Sequence, residues 1–321
     1  MSRGSPTSAP RATVVAVDFG GTKIDVALAR GAGEIHRRIR LDTHAPDGPE
    51  QALRRAAEAA RALVTADRAE DNGPVAAYAA VCPGVIQDEQ VLLAPNLPGW
   101  QNLAFARRMA EELDVAEVAV TNDVRAGALA ELRFGSLRNV DPGIYLSLGT
   151  GIAAALVTQS QVAAGAHRAA GEIAYMTVDP ITPAQPGQAA LEEVAGGRSL
   201  GERASAMLGE QISAQELLSR TDPVARHLVH QALGILADAI TNLAVFIDPE
   251  RIAVGGGMMA AAETILPVLQ ARLRQVAPFP PEVVAAHFTH DASLHGAIAL
   301  ALDAAAQQAP LQLTPSSGAS Q

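Results

Sequence analysis

Two apolar runs in this chain are each broken by glycine in the same way. VVAVDFGGTKIDVALA (Val14–Ala29) reads as an apolar strand, a Gly-rich turn and a second apolar strand, and IYLSLGTGIAAALV (Ile144–Val157) repeats the design. Between them the pattern changes period. In GPEQALRRAAEAARALVTADR, residues Leu53, Ala56, Ala60, Leu63 and Val64 share one helical face, while Arg54, Arg55, Glu58 and Arg61 take the other. VAAYAAVCPGVI predicts a buried strand ending in a Pro-Gly turn, followed by the loop LAPNLPGW, a helix near Ala104–Leu113, the strand EVAVTND and a helix over Val124–Phe134. Beyond the second glycine hairpin, Asp179–Gln188 is irregular and rich in Pro and Gln. Helices then dominate from about Leu191 to Phe246. The strand ERIAVGGGMM runs into a helix around Ala260–Val276, and a last helix covers Ala292–Ala306.

Strands alternating with helices in both halves predict an α/β architecture of two lobes. The expected division is an N-terminal lobe over 13–121 and a C-terminal lobe over 122–291, with a helix at about 292–306 packing back on the first. Residues 1–12 and 308–321 are Ser/Pro-rich or polar and read as disordered tails. Composition narrows the class. The chain has 321 residues and is 49% hydrophobic but only 3% aromatic, so its core is aliphatic and Ala-rich. A formal net charge of −10 argues against a phosphate-backbone footprint and hence against nucleic acid as partner. The single cysteine, Cys82 in AAVCPGVI, excludes an intrachain disulfide and reads as a small buried hydrophobe. No segment reads as a membrane span, since the densest helix, Leu228–Ile247, carries His230, Asp238 and Asn242. With no signal-like N-terminus, a soluble cytoplasmic protein is expected.

The glycine turns carry the first chemical suggestion. Gly20–Gly21–Thr22 and Gly149–Thr150–Gly151 have no bulky side chains at their bends, so backbone N–H groups can approach an anion and each Thr adds a hydroxyl. A tight hairpin explains one such turn; two suggest a polyphosphate gripped from both sides. Asp18, at the end of an apolar strand, is either a strand-end turn residue or a carboxylate holding hydrated Mg²⁺, and Lys23 either offsets phosphate charge or faces solvent. Asn122 and Asp123 lie where a strand gives way to a helix. Helix capping needs only one of them, which leaves a carboxylate able to take a proton from a substrate hydroxyl. Glu172 sits in a loop of small residues, and Glu192 and Glu193 open a helix, where the dipole alone favours acids. GGGMM (Gly255–Met259) is either exposed backbone for a flat ligand or a close-packed turn. His287, His290 and His295 cluster in HFTHDASLH without the Glu or Cys that would complete a metal site, and read as packing or surface residues.

Taken in order, DFGGTK, PGVI, APNLPGW, ND with AGALAELRFG, LSLGTGI, AGEIAY, LEEVAGG and RIAVGGGMM resemble the ROK family of sugar kinases, over nearly the whole chain between the tails. The resemblance implies a two-lobed, actin-like ATPase fold of the hexokinase type, with a cleft between the lobes. It also implies phosphorylation of a hexose, usually at the 6-hydroxyl, with Mg-ATP. By motif, Asp123 resembles the catalytic base, and Asn96, Asn122, Glu172 and Glu192 the sugar contacts. Gly20, Gly21, Thr22, Lys23, Gly149, Thr150 and Gly151 resemble the ATP phosphate side, Gly256 the adenosine side, and Asp18 the Mg²⁺ position. A homodimer is the expected assembly.

Departures from the family matter as much. Many members hold a structural zinc through a His in GEIGH and cysteines in CxCGxxGC. Here Tyr175 takes the His position and PAQPGQAA replaces the cysteine segment, so no structural zinc is expected. Tyr175 should also alter sugar preference, because a phenol is larger than imidazole and does not titrate near neutrality. Ala153–Ala155 stand where glycines are usual. The alternative functions are a sugar-binding pseudokinase, suggested by Tyr175, and a sugar-responsive regulator, for which the acidic charge and the early position of Asp18 leave little support.

Overall fold

The structure is a computed structural model that describes residues 12–70, 73–94, 97–179, 184–185 and 187–308. Residues 1–11 and 309–321 of the expected tails, Asn96, and Pro183 and Pro186 of the PAQPGQAA segment lie outside the described residues.

The first lobe starts with β1 (Thr13–Phe19), β2 (Lys23–Arg30) and β3 (Glu34–Asp42). α1 (Pro49–Arg68), β4 (Val75–Cys82) and the short hairpin β5 (Val85–Gln87) and β6 (Gln90–Leu92) come next. α2 (Phe105–Leu113), β7 (Ala119–Asn122) and α3 (Asp123–Phe134) follow. The sheet order is β3-β2-β1-β4-β7, in which β1 pairs antiparallel with β2 and parallel with β4. Side chains alternate across β1. Val15, Val17 and Phe19 face the helices α1 and α2, where Leu53, Ala56, Ala60 and Leu63 are buried. Phe19, Trp100 and Phe105 form an aromatic cluster with ring centroids 5.3–5.7 Å apart, in which Phe19 meets both partners edge-on, and this anchors the residue just before the first glycine turn.

The second lobe repeats that plan. Its strands are β8 (Gly143–Leu148), β9 (Ile152–Thr158) and β10 (Gln161–Val162), joined through α4 (Ala190–Ala195), α5 (Gly197–Leu208), α6 (Ala214–Ser219) and α7 (Pro223–Ile247) to β11 (Arg251–Gly255). α8 (Ala262–Val276) and β12 (Glu282–Ala285) complete a sheet of order β10-β9-β8-β11-β12. As in the first lobe, an antiparallel glycine hairpin is extended on one side by parallel strands.

The last helix, α9 (Ala292–Gln308), covers the other face of the first sheet. Leu294, Ala297, Ile298 and Ala301 pack there on Val14, Ala16, Ala27 and Ala79. Small residues on the strands let the helix approach closely, which is one use of the high alanine content. α9 also touches α3: a Cβ at Gly296 would come within 1.8 Å of the Ala126 carbonyl oxygen.

One expectation needs correction. α7 is 25 residues long, and an 18-residue stretch of it with a mean hydropathy of 1.4 makes it long and apolar enough, by length and composition, to cross a membrane. Its polar residues dilute it too little to fail that test. Half of the apolar window is nonetheless buried inside the fold, where Leu228, Leu233, Leu236 and Ile240 join the core of the second lobe.

Candidate active site

Two cavities open between the lobes, of about 970 Å³ and 470 Å³, and they share a wall. Gly20, Asp123, Val124, Ser147, Gly149, Thr150 and Arg198 line both. The larger cavity adds Asp18, Lys23 and Gly256, the smaller Gly21, Thr22, Asn122, Gly151, Glu172, Tyr175 and Glu192. Each residue matched above to the base, sugar, phosphate, adenosine or Mg²⁺ position and lying within the described residues borders one cavity or both, as does Tyr175, whereas Glu193, His287 and His295 border neither. The smaller cavity gathers Asn122, Glu172 and Glu192, the candidate sugar contacts within the described residues, together with Tyr175. Three residues read as phosphate contacts, Gly21, Thr22 and Gly151, also face it.

The turns that shape this wall are closed from within. The Gly20 amide donates to the Lys23 carbonyl and the Gly149 amide to the Gly151 carbonyl, each at 2.9 Å. Gly149 has nothing within 4 Å of where a Cβ would stand, so that face of the turn looks into open space. Gly256 differs. It has φ +93°, and a Cβ would fall 2.4 Å from the Leu148 carbonyl oxygen, so glycine is there required by packing. Its neighbour Gly257 borders the larger cavity and has open space above it.

Asp123 is the first residue of α3, and Asn122 is its N-cap. The Asn122 side chain accepts a hydrogen bond from the Arg125 amide at 2.8 Å and donates to the Gly84 carbonyl at 3.0 Å. Capping is thus done by Asn122 and leaves Asp123 to the cavities. The Asp123 carboxylate accepts the Val124 amide at 2.9 Å. Burial, then the negative charge of Asp18, push its pKa up to about 7, against the Val124 hydrogen bond and with a further push from Glu172. Asp18, at the end of β1, is raised to about 6, mainly by burial and partly offset by a 2.5 Å hydrogen bond from the Ser293 hydroxyl on α9.

On the smaller cavity, Glu192 of α4 accepts the Ile152 amide at 2.9 Å and so braces the second glycine turn. Glu172 precedes a single turn of 3₁₀ helix, and burial raises its pKa while Arg125 opposes the shift. Its loop is docked on β9 through the Ala154 amide, which donates to the Gly171 carbonyl at 2.9 Å. Tyr175 is 40% exposed on the cavity wall, its phenol pKa raised by burial and by Glu172 and Glu192.

Several residues at the site carry no signal in local sequence. Ser293 reaches Asp18 across 275 positions. Arg125, only 7% exposed, donates to the Ala164 carbonyl at 2.7 Å and ties the helix bearing Asp123 to the loop leading to Glu172; its Nε has no partner among the described residues. Arg198 is exposed on the shared wall; its position after two glycines at a helix start was the available clue. Of the three histidines near the C-terminus, His295 stacks on Phe288 at 4.3 Å, His287 meets the same ring edge-on, and His290 borders the larger cavity. Among the described residues no group of three or more His, Cys, Asp and Glu is placed to hold a metal ion.

The profile of the ROK family matches residues 14–304. This chain belongs to the ROK family. It is 31% identical over 301 residues to an N-acetylmannosamine kinase of Escherichia fergusonii, a match covering 90% of this chain and 98% of that protein. Among solved structures it resembles a ROK family glucokinase from Streptomyces griseus in complex with glucose and AMPPNP. The TM-score is 0.72 at 26% identity, covering 91% of this chain and 100% of that one. A ROK family transcriptional regulator, a homologue of the E. coli MLC protein, matches with a TM-score of 0.78 at 25% identity, covering 91% of this chain and 78% of the regulator. The architecture of two related sheets about a cleft is the two-lobed actin-like ATPase fold of these ROK proteins.

Proposed function

We propose that this protein is an ATP-dependent sugar kinase that phosphorylates a hexose, at its 6-hydroxyl, with Asp123 as general base. The observation that carries this reading is the position of Asp123 on the wall common to both cavities. A group that takes the proton of one substrate while that substrate attacks the other must stand where the two meet. A pKa of about 7 suits it to accept a proton near neutrality and to release it afterwards.

The larger cavity fits a nucleoside triphosphate. Gly149 and Gly257 leave space that any side chain would fill, and the amides following Gly20 and Gly149 are the candidate phosphate donors. Asp18 and Lys23 border the same cavity, a donor set suited to hydrated Mg²⁺ and phosphate oxygens. When bound, Mg²⁺ would supply charge neutralisation at the phosphates. In the smaller cavity Asn122, Glu172 and Glu192 would hold sugar hydroxyls, with Asn96 as a further candidate. Tyr175 would narrow the choice of sugar relative to a His. N-acetylmannosamine and glucose, named for the two kinases compared above, are the first substrates to test.

A second reading, a sugar-responsive regulator or pseudokinase, is favoured by the likeness to the transcriptional regulator and by Tyr175. Coupled ADP release measured over a panel of hexoses and N-acetylhexosamines separates the two. The kinase reading requires turnover with at least one sugar, lost by at least about 10³-fold in Asp123→Asn while that variant still binds the sugar. Sugar binding with no turnover in the wild-type protein supports the regulator.

A further inference from the structure

Phosphoryl transfer in a two-cavity site has a geometric requirement. The phosphoryl group starts in the nucleotide cavity and ends in the acceptor cavity, so the groups that stabilise it in flight belong to the wall between them. Of the described residues common to both cavities, only Asp123 and Arg198 carry ionisable side chains. The other cation near the glycine turns, Lys23, borders the larger cavity alone.

Arg198 is held in place by its backbone and left free at its head. It is the second residue of α5, and its amide donates to the Thr150 carbonyl at 3.0 Å. The amide of Gly197 donates to the Gly149 carbonyl, also at 3.0 Å, and a Cβ at Gly197 would fall 2.4 Å from that oxygen. The start of α5 is therefore fastened directly to the second glycine turn. Among the described residues the Arg198 guanidinium has no hydrogen-bond or ion-pair partner, and the side chain is exposed. An arginine whose only role is to brace the fold would be expected to spend its five donors on the protein.

We propose that Arg198 is a catalytic residue whose guanidinium contacts the phosphoryl group during its transfer, opposite the carboxylate of Asp123. The inference rests on the kinase reading above and adds a residue to it. In the step, the acceptor oxygen forms a bond to the γ-phosphorus as the bond from that phosphorus to the β,γ-bridging oxygen breaks. The electron pair of the broken bond leaves with ADP, and the acceptor's proton passes to Asp123. Negative charge spreads over the three equatorial oxygens, which a planar fork of N–H donors matches better than an ammonium does.

The test compares wild type with Arg198→Met, Arg198→Lys and Arg198→Ala. Turnover is measured with the best sugar of the panel, and dissociation constants for Mg-AMPPNP and Mg-ADP are measured by calorimetry. In Arg198→Met, kcat should fall by about 10²-fold or more. AMPPNP binding should weaken at least about tenfold relative to ADP, and the melting temperature should stay within about 2 °C because the side chain is exposed. Arg198→Lys should recover only part of the loss, and millimolar guanidinium should restore turnover to Arg198→Ala. A kcat and an AMPPNP-to-ADP ratio both within about threefold of wild type overturn the proposal. If the wild-type protein phosphorylates no sugar, the kinase reading fails on its own account. The catalytic role of Arg198 falls with it, and the AMPPNP-to-ADP ratio then decides only whether the guanidinium meets the γ-phosphate.

Discussion

Asp123 is half-buried on the cavity wall and has two acidic neighbours, Asp18 and Glu172, and lost hydration and like charge act in the same direction on its proton. Because its pKa is raised to about 7, a general-base role predicts that kcat/KM rises with pH, climbing through about pH 7 to a plateau. A flat profile between pH 5.5 and 8.5 would show that no carboxylate in this position limits the reaction. The same shift predicts a stability effect. The folded pKa lies above the ordinary carboxylate value of 3.8, so between those values the folded protein binds more protons than the unfolded chain. Stability is then fully present below about pH 4 and declines as pH rises towards 7. Asp123→Asn should accordingly stabilise the protein at pH 8, by up to ~4 kcal/mol for about three units at ~1.4 kcal/mol each, and leave it nearly unchanged at pH 4. Denaturant unfolding at the two pH values checks this. Two glycines separate ligand space from packing. Gly149→Ala should keep stability within ~1 kcal/mol and weaken nucleotide binding, because its Cβ enters open cavity. Gly256→Ala should cost ~2 kcal/mol or more, since φ is +93° and the Leu148 carbonyl is in the way. Equal melting temperatures for the two variants would contradict that assignment.

At the scale of elements, a buried carboxylate fastens the approach to the larger cavity. Glu131 of α3 is fully buried and accepts three backbone amides, from Ser136 at 2.6 Å, His287 at 3.1 Å and Phe288 at 2.8 Å. The segment it holds continues through Phe288 and His290, which border the larger cavity, into α9 and the Ser293–Asp18 hydrogen bond. Glu131→Ala strands three donors and should cost ~3 kcal/mol or more. It should also raise the nucleotide KM more than the sugar KM, which steady-state kinetics on the folded fraction would reveal. Sequence pattern disclosed the elements that bury a continuous face and missed those that do not. β3 went unread because Arg37, Arg38 and Arg40 interrupt it, although Ile35, Ile39 and Leu41 keep the period of two. It is an edge strand whose Arg38 and Arg40 bond Asp25 at 2.8 and 2.9 Å, a long-range pairing that no local window contains. β12 is only four residues long, and β5–β6 is a hairpin of three-residue strands, both too short to show a period. In the candidate site, Asp18, Asp123 and the turns are legible as candidates because each stands at a strand end beside glycine or a helix start. Ser293 and Arg125 act across the fold and are not.

The molecule as a whole leaves one surface unusually apolar for so acidic a protein. The chain has six phenylalanines, and two of them stand in solvent, Phe246 at 89% and Phe279 at 79% exposure. Val245 and Val276 are exposed as well. These residues come from one end of the second lobe: Phe246 lies five residues before β11 and Phe279 three before β12, and the two strands pair in parallel with Arg251 opposite Glu282. An aromatic side chain has ~150–250 Å² to bury, worth ~4–6 kcal/mol at ~25 cal/mol per Å². Two of them repeated by symmetry would form the centre of a homodimer interface. The predicted outcome is a dimer for the wild-type protein in sedimentation velocity and a monomer for Phe246→Asp with Phe279→Asp. Both positions lie away from the residues lining the interlobe cavities, so the monomeric variant should keep kcat within about threefold if each subunit works alone. Loss of turnover on dissociation, with secondary structure intact by circular dichroism, would instead mean that pairing across the second lobes holds the two lobes of each chain in their working arrangement. A wild-type monomer at micromolar concentration removes the dimer and leaves the two phenylalanines as a surface for some other partner.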